Sequence, residues 1–251
     1  MNAELKEKLR KLADKYEVSS FCDADPSQFL RWYEPEAGRG TVADVEAASF
    51  IAAMLAFGNR KQFIPKICDV LQTADRSLGS ISEWLKTGAY VKEFPKGTAK
   101  FYRFYSYDDM QIFFGELAEI LKRAGSLGDF FEVQYTAAHN LSDIIASAFP
   151  NSAIVPKGRT SANKRVHMFL RWMVRRNSPV DLGLWKWADP SSLIIPLDTH
   201  VMQEAAKLGL IPEKAAASRK TAELLTSALS EVFPGDPCRG DFALFGVGVD
   251  K

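Results

Sequence analysis

The segment "NKRVHMFLRWM", Asn163 to Met173, and the later segment "IIPLDTHVMQEAAKLGL", Ile194 to Leu210, decide how this chain is read. In the first, Val166, Phe169, Leu170 and Met173 recur at helical spacing, the inner stripe of a helix starting near Asn163. In the second, Asp198 stands as an N-cap before the stripe Val201, Met202, Ala205 and Leu208, which ends at Gly209. Neither segment alternates as a half-buried strand would.

Working outward, the same period persists. Leu5, Leu9, Leu12 and Tyr16 line an opening helix. Thr41 can cap a second, running through Ile51 and Leu55 to Gly58, and a third follows from about Lys61 with Ile64, Ile67 and Leu71 inward. Ser80 and Glu83 have capping-box spacing ahead of Trp84. Ile112, Phe113, Leu117, Ile120 and Leu121 mark a helix ending before Gly125; Leu141, Ile144, Ile145 and Ala148 mark another before Pro150. Leu224, Leu225, Ala228, Leu229 and Val232 belong to a penultimate helix, after which Asp236-Pro237 is read as the cap and first turn of the last. About ten to twelve short helices and no convincing strand make an all-α protein.

Composition excludes several classes. Hydrophobic residues make up 47% of the 251 and charged residues 25%, as in soluble globular chains. No apolar run approaches the roughly 20 residues of a membrane span, and Met1 to Tyr16 does not read as a signal peptide. A cytoplasmic location without membrane association is expected. Cys22, Cys68 and Cys238 lie far apart, which supports neither a disulfide framework nor a zinc or iron–sulfur site. His139 and His167 have no metal-binding spacing with any carboxylate, so no metal site is expected.

Charge is uneven. The net charge is only +1, yet Asn151 to Val180 holds no Asp or Glu and seven cations: Lys157, Arg159, Lys164, Arg165, Arg171, Arg175 and Arg176. The rest of the chain therefore carries about −6. A local field of one sign is the footprint of a polyanion site, against the alternative of a solvated helix face.

Two residues break local rules. Lys164 and Arg165 sit in the first turn of a helix, where the macrodipole disfavours cations by a few tenths of a kcal/mol. The same dipole makes a neutral, nucleophilic amine more accessible at Lys164. Asp198 is the opposite case, a carboxylate held at a helix start by backbone N–H groups. Taken alone, each is ordinarily a surface lysine and a structural cap. Together, an amine that can attack and a carboxylate that can stabilise positive charge suit glycosidic bond cleavage.

The two opening segments resemble the helix-hairpin-helix superfamily of base-excision DNA glycosylases. "IIPLDTHVMQEAAKLGL" is similar to the segment bearing that family's essential carboxylate, which falls on Asp198; "NKRVHMFLRWM" is similar to the helix whose first turn holds the Schiff-base lysine, which falls on Lys164. Their separation of 34 residues resembles the archaeal 8-oxoguanine glycosylase type more than the endonuclease III type. "FIAAMLAFGNRKQF", Phe50 to Phe63, is similar to the early helix–turn–helix that pushes a polar wedge into DNA, and "DFALFGVGVD", Asp241 to Asp250, to the final core helix. The chain is also similar to an uncharacterised bacterial family within the superfamily.

One motif departs. Where the family's hairpin has two glycines, "VPKGRTSANK" has only Gly158, which weakens the case for a phosphate cradle and its accompanying monovalent cation. Lys157 and Arg159 can take over phosphate binding, with Arg165 beside them. Asn59, Arg60 and Lys61 follow a helix stop and suit a wedge or phosphate contact. Trp172, Trp185, Trp187 and Tyr102 are candidates for stacking on a flipped base, although aromatics at helical spacing are more often core. His200 can face the site or bond its own helix start.

The resemblance implies a monomer of two interleaved helical lobes, about 42–155 and 1–41 plus 156–251, with the hairpin and Asp198 lining the cleft. It implies a glycosylase with lyase activity on double-stranded DNA carrying a damaged base, an oxidised purine by the spacing, and no cofactor. The alternatives are a DNA- or RNA-binding module without chemistry on the same fold, and a helical scaffold for a protein partner.

Overall fold

The computed structural model describes residues 1–135 and 140–249. His139 and Asp250 lie outside the described residues. The chain is mostly helical, and it divides into two compact units: Met1–Ala24 with the chain from Lys157 onward, and Asp25–Pro156. Residues 25–41, grouped above with the opening helix, belong instead to the second unit. There the 3₁₀ turn Pro26–Arg31, opened by the Asp25 cap, buries Phe29 and Leu30 and packs on the helix that follows.

The unit beginning at Asp25 is built around α2 (Val42–Leu55), whose residues from Asp44 to Leu55 are all buried. A helix apolar all round belongs at the centre of a core. Around it come α3 (Arg60–Leu78), α4 (Ile81–Lys86), α5 (Tyr90–Glu93), α6 (Tyr107–Ala124), α7 (Leu127–Gln134) and α8 (Leu141–Ala148). Phe50 stacks on Phe149 at 4.9 Å, and Trp84 meets Phe114 edge-on at 5.2 Å. Asp44 ties two helix starts together. It completes the Thr41 capping box of α2 and accepts from Ser80 Oγ at 2.6 Å and Ser82 N at 2.8 Å at the start of α4. Burial alone would raise the Asp44 carboxyl, but the bonds from Ser80, Ser82 and Thr41 outweigh it and hold the group low.

The sequence pattern hid one element. β1 (Lys100–Tyr102) and β2 (Tyr105–Ser106) pair antiparallel, with Tyr102 opposite Tyr105. Arg103 and Phe104 make the turn, and neither is a turn-forming residue type.

The other unit holds α1 (Ala3–Tyr16), α9 (Lys164–Val174), α10 (Thr199–Lys207), α11 (Arg219–Ser230) and α12 (Gly240–Val249); α1, α10, α11 and α12 share an aliphatic core that includes Leu9, Val201, Leu225, Leu229 and Leu244. α1 and α12 pack so closely that a Cβ on Gly246 would lie 2.2 Å from the Tyr16 ring. On α9 every residue from Val166 to Val174 is buried, Arg171 included. Arg171 and Arg175, one turn apart, share Asp181, through Nε to Oδ1 at 3.2 Å and Nη1 to Oδ2 at 2.5 Å. Arg171 Nη1 also pairs with Asp241. Arg175 reaches Asp236 at 2.7 and 2.8 Å and Glu17 at 2.8 Å.

Asp236 therefore does not cap the last helix, as its place before Pro237 suggests. It makes no side-chain cap bond, because both its oxygens are taken by Arg175. Pro237 opens a 3₁₀ turn, Pro237–Arg239, ahead of α12.

Breaking a buried ion network by removing one member leaves uncompensated charge and costs about 3–5 kcal/mol. Arg175→Met should lower unfolding free energy by about that amount in urea titrations, since it leaves Asp236 without its cation and takes from Asp181 and Glu17 one of the two each has. A loss below about 1 kcal/mol would show that the carboxylates find other partners.

Candidate functional site

Lys164 is the first residue of α9 and Asp198 the N-cap of α10. The fold sets the two helix starts side by side, and Lys164 Nζ lies 3.0 Å from Asp198 Oδ2. The lysine side chain is 35% exposed and the carboxylate 15%, so solvent reaches the pair. Asp198 uses its other oxygen as the cap, accepting from Val201 N at 2.9 Å. Its two oxygens thus have separate tasks. The carboxylate also offsets the misplaced cation at the start of α9.

The loop before Lys164 is held from both ends. Thr160 O accepts from Arg219 N at 2.9 Å, and Ser161 bridges to Ser218, so the start of α11 supports it. Asn163 adopts a left-handed conformation (φ 42°, ψ 40°), which asparagine tolerates better than most residues. Its amide Nδ2 donates to Gly158 O at 2.8 Å across the turn while its buried Oδ1 meets no donor, and α9 has no side-chain cap. Gly158 is required by space: a Cβ there would lie 2.8 Å from Ser161 Cβ. Lys157, Gly158 and Arg159 are exposed on this loop, and Arg165 is half-buried in the first turn of α9.

Asn59, Arg60 and Lys61 belong to the other unit. Asn59 caps α3 by accepting from Lys61 N at 2.9 Å, Arg60 pairs with Asp25 at 3.8 Å, and Lys61 is exposed.

The local charge count needs correcting. Arg171 and Arg175 face inward onto carboxylates that lie elsewhere in the sequence, and Arg176 donates to the carbonyls of Lys186 and Ala188. An acid-free segment is not an acid-free neighbourhood. The cations of this segment that line the loop and the start of α9 are Lys157, Arg159, Lys164 and Arg165.

The aromatic candidates sit mostly in cores. Trp172 and Trp185 are fully buried, and Trp185 packs edge-on against Phe169 and stacks on half-buried Trp187. Tyr102 is buried in the other unit, its hydroxyl donating to Phe57 O. His200 is exposed on the first turn of α10. Among the described residues no group of three or more His, Cys, Asp or Glu could hold a metal ion.

Sequence reasoning missed Asp241. This α12 carboxylate is buried, pairs with Arg171 through Oδ2, and leaves Oδ1 without a hydrogen-bond partner. Burial pushes its carboxyl up to about 6; the nearby Asp198 also raises it, against the pull of Arg171 and Lys164. An Asp following Gly inside an apolar closing helix was the available signal.

Because Asp241 binds its proton more tightly folded (about 6) than at its ordinary 3.8, its ionisation opposes folding as pH rises through that window. Asp241→Asn should gain on the native protein by up to about 3 kcal/mol between pH 4 and 7. Denaturation at both ends of the range checks this. A variant that instead loses ground on going to pH 7 would show the Asp241–Arg171 pair to be net stabilising.

No curated protein and no solved structure matches this chain. A family model described as "Protein of unknown function (DUF2400)" matches residues 25–250, and the chain belongs to that family.

Proposed function

We propose that the chain is a base-excision DNA glycosylase with lyase activity, on a fold of the helix-hairpin-helix glycosylase type. The observation that carries this reading is the 3.0 Å contact between Lys164 Nζ and Asp198 Oδ2, half-open to solvent at the starts of two helices.

In the resting state the amine is an ammonium paired with the carboxylate. Attack requires it to lose one proton, and Asp198 is the base within reach. Lys164 then attacks C1′ of a nucleotide drawn out of the stack, and the N-glycosidic bond breaks with its electron pair leaving on the damaged base, which takes up a proton. Asp198 steadies the cationic charge that develops at C1′. Opening of the sugar ring gives the imine, loss of a C2′ proton expels the 3′ phosphate, and water releases the enzyme. Lys157 and Arg159, beside the uncapped start of α9, are the groups that would hold phosphates. A damaged purine in double-stranded DNA is the proposed substrate.

The competing reading is a binding module without chemistry. It is favoured by the fact that Asp198 is already accounted for as a cap and Lys164 as its counter-ion.

Borohydride trapping on a panel of lesion-bearing duplexes tests the proposal. The native protein should form a covalent adduct, and Lys164→Gln should lose it while still binding DNA. Asp198→Asn keeps the cap, since Asn caps helices as well as Asp, yet should slow excision by a hundred- to a thousandfold, about 3–4 kcal/mol. Full activity of both variants on a substrate the native protein cleaves would rule out these residues as the catalytic pair. Binding without cleavage of any lesion would favour the module.

Phosphate contacts have their own readout. Replacing Lys157, Arg159 and Arg165 by Ala should weaken binding about equally for all sequences, with the salt slope falling by about 0.9 per lost contact. An unchanged slope would remove this loop from the interface.

A further inference from the structure

The β1–β2 hairpin and the turn between α2 and α3 meet on one face of the Asp25–Pro156 unit. Residues 56–68 and 94–107 are each free of Asp and Glu, and the fold joins these two basic stretches. Tyr102 OH donates to Phe57 O, and the Phe57 ring touches the rings of Tyr102, Phe104 and Tyr105 at 4.9, 5.3 and 5.2 Å. The Arg103 guanidinium lies over Phe57 and beside Gly58, where a Cβ would come within 2.3 Å of it. Lys61, Lys100 and Arg103 are exposed here, and Phe104, at the tip, is 59% exposed.

The hairpin tip is also unfavourable as a turn. Arg103 sits at φ 51°, a left-handed conformation that disfavours a residue with a side chain relative to glycine. Gly or Asn would serve the backbone better; Arg103 lies over Phe57 and Phe104 packs on Phe57 and Tyr105, yet Phe104 stays largely exposed. Lys100 Nζ, bonded to Phe104 O at 2.9 Å, holds the tip in place.

We propose that this tip is a second nucleic-acid contact, in which Phe104 stacks on a base at a break in the duplex stack while Lys61, Lys100 and Arg103 take the flanking phosphates. An exposed ring among cations is the arrangement that reads unstacked bases without regard to sequence. The occupant is DNA with a gap in its stack, as a site with an extruded or missing base provides. This rests on the DNA reading of the preceding section but not on its chemistry.

The test compares full-length native protein, Phe104→Ala and Phe104→Trp by fluorescence anisotropy, on a short duplex with one stable abasic site and on its fully paired counterpart. Phe104→Ala should bind the abasic duplex about tenfold or more weakly, while the paired duplex changes less than about twofold, and Phe104→Trp should restore tight binding. Phe104→Leu keeps the packing on Phe57 without a π-face and should also fail; it stands in if the Ala variant is unstable. Native-like binding by Phe104→Leu, equal losses on both duplexes, or no DNA binding by the native protein would each overturn the proposal. The predicted pattern in a protein that forms no borohydride adduct would leave this proposal standing and refute only the catalytic one.

Discussion

α9 runs through the interior of its unit, and Arg171 within it and Arg175 at its C-cap are both buried. A buried guanidinium is costly unless it is paired and hydrogen-bonded. Arg171 and Arg175 can be accommodated only where carboxylates from other parts of the chain converge, and Asp181, Asp236, Asp241 and Glu17 do so. That requirement draws the end of α1, the loop after α9 and the start of α12 onto one helix. It also fixes the rotation of α9 about its axis, and with it the direction in which Lys164 projects. The candidate site therefore depends on charges that are mostly buried. Phe242 contributes too, its ring lying under both guanidinium groups at 4.5 and 5.3 Å.

The network holds more carboxylates than arginines. Arg239 adds a third cation, bonded to Glu17 at 2.9 Å and Asp14 at 2.6 Å. Asp181 is fully buried, and its carboxyl is raised by that burial despite the two arginines beside it. Of these carboxylates Asp241 feels both Asp198 and Lys164, so the candidate pair is coupled electrostatically to the network. The proposed nucleophile and the buried network are thus parts of one electrostatic arrangement.

Much of this was legible in the sequence wherever a local rule decided the outcome. Thr41, Ser80 and Asp198 cap the helices their positions suggest, because capping involves only the next three residues. Lys164 and Asp198 were recognisable as an unusual lysine and a well-placed carboxylate; that they touch is a tertiary fact. Asp236 fails as a cap because distant Arg175 competes for it, and no local pattern reports that competition. Arg171 and Arg175 read as part of a basic surface for the same reason. The β1–β2 hairpin was invisible because its turn, Arg103-Phe104, lacks every residue that marks turns and its strands are too short to show alternation.

The central claim is that a neutral Lys164 becomes covalently joined to C1′ of the target sugar. Peptide mapping by mass spectrometry of the borohydride-reduced complex tests it most directly, because it locates the bond. The account predicts one modified residue, Lys164, carrying the mass of the reduced sugar remnant. A modification at Lys157, at the N-terminal amine, or at no residue of the chain would contradict it.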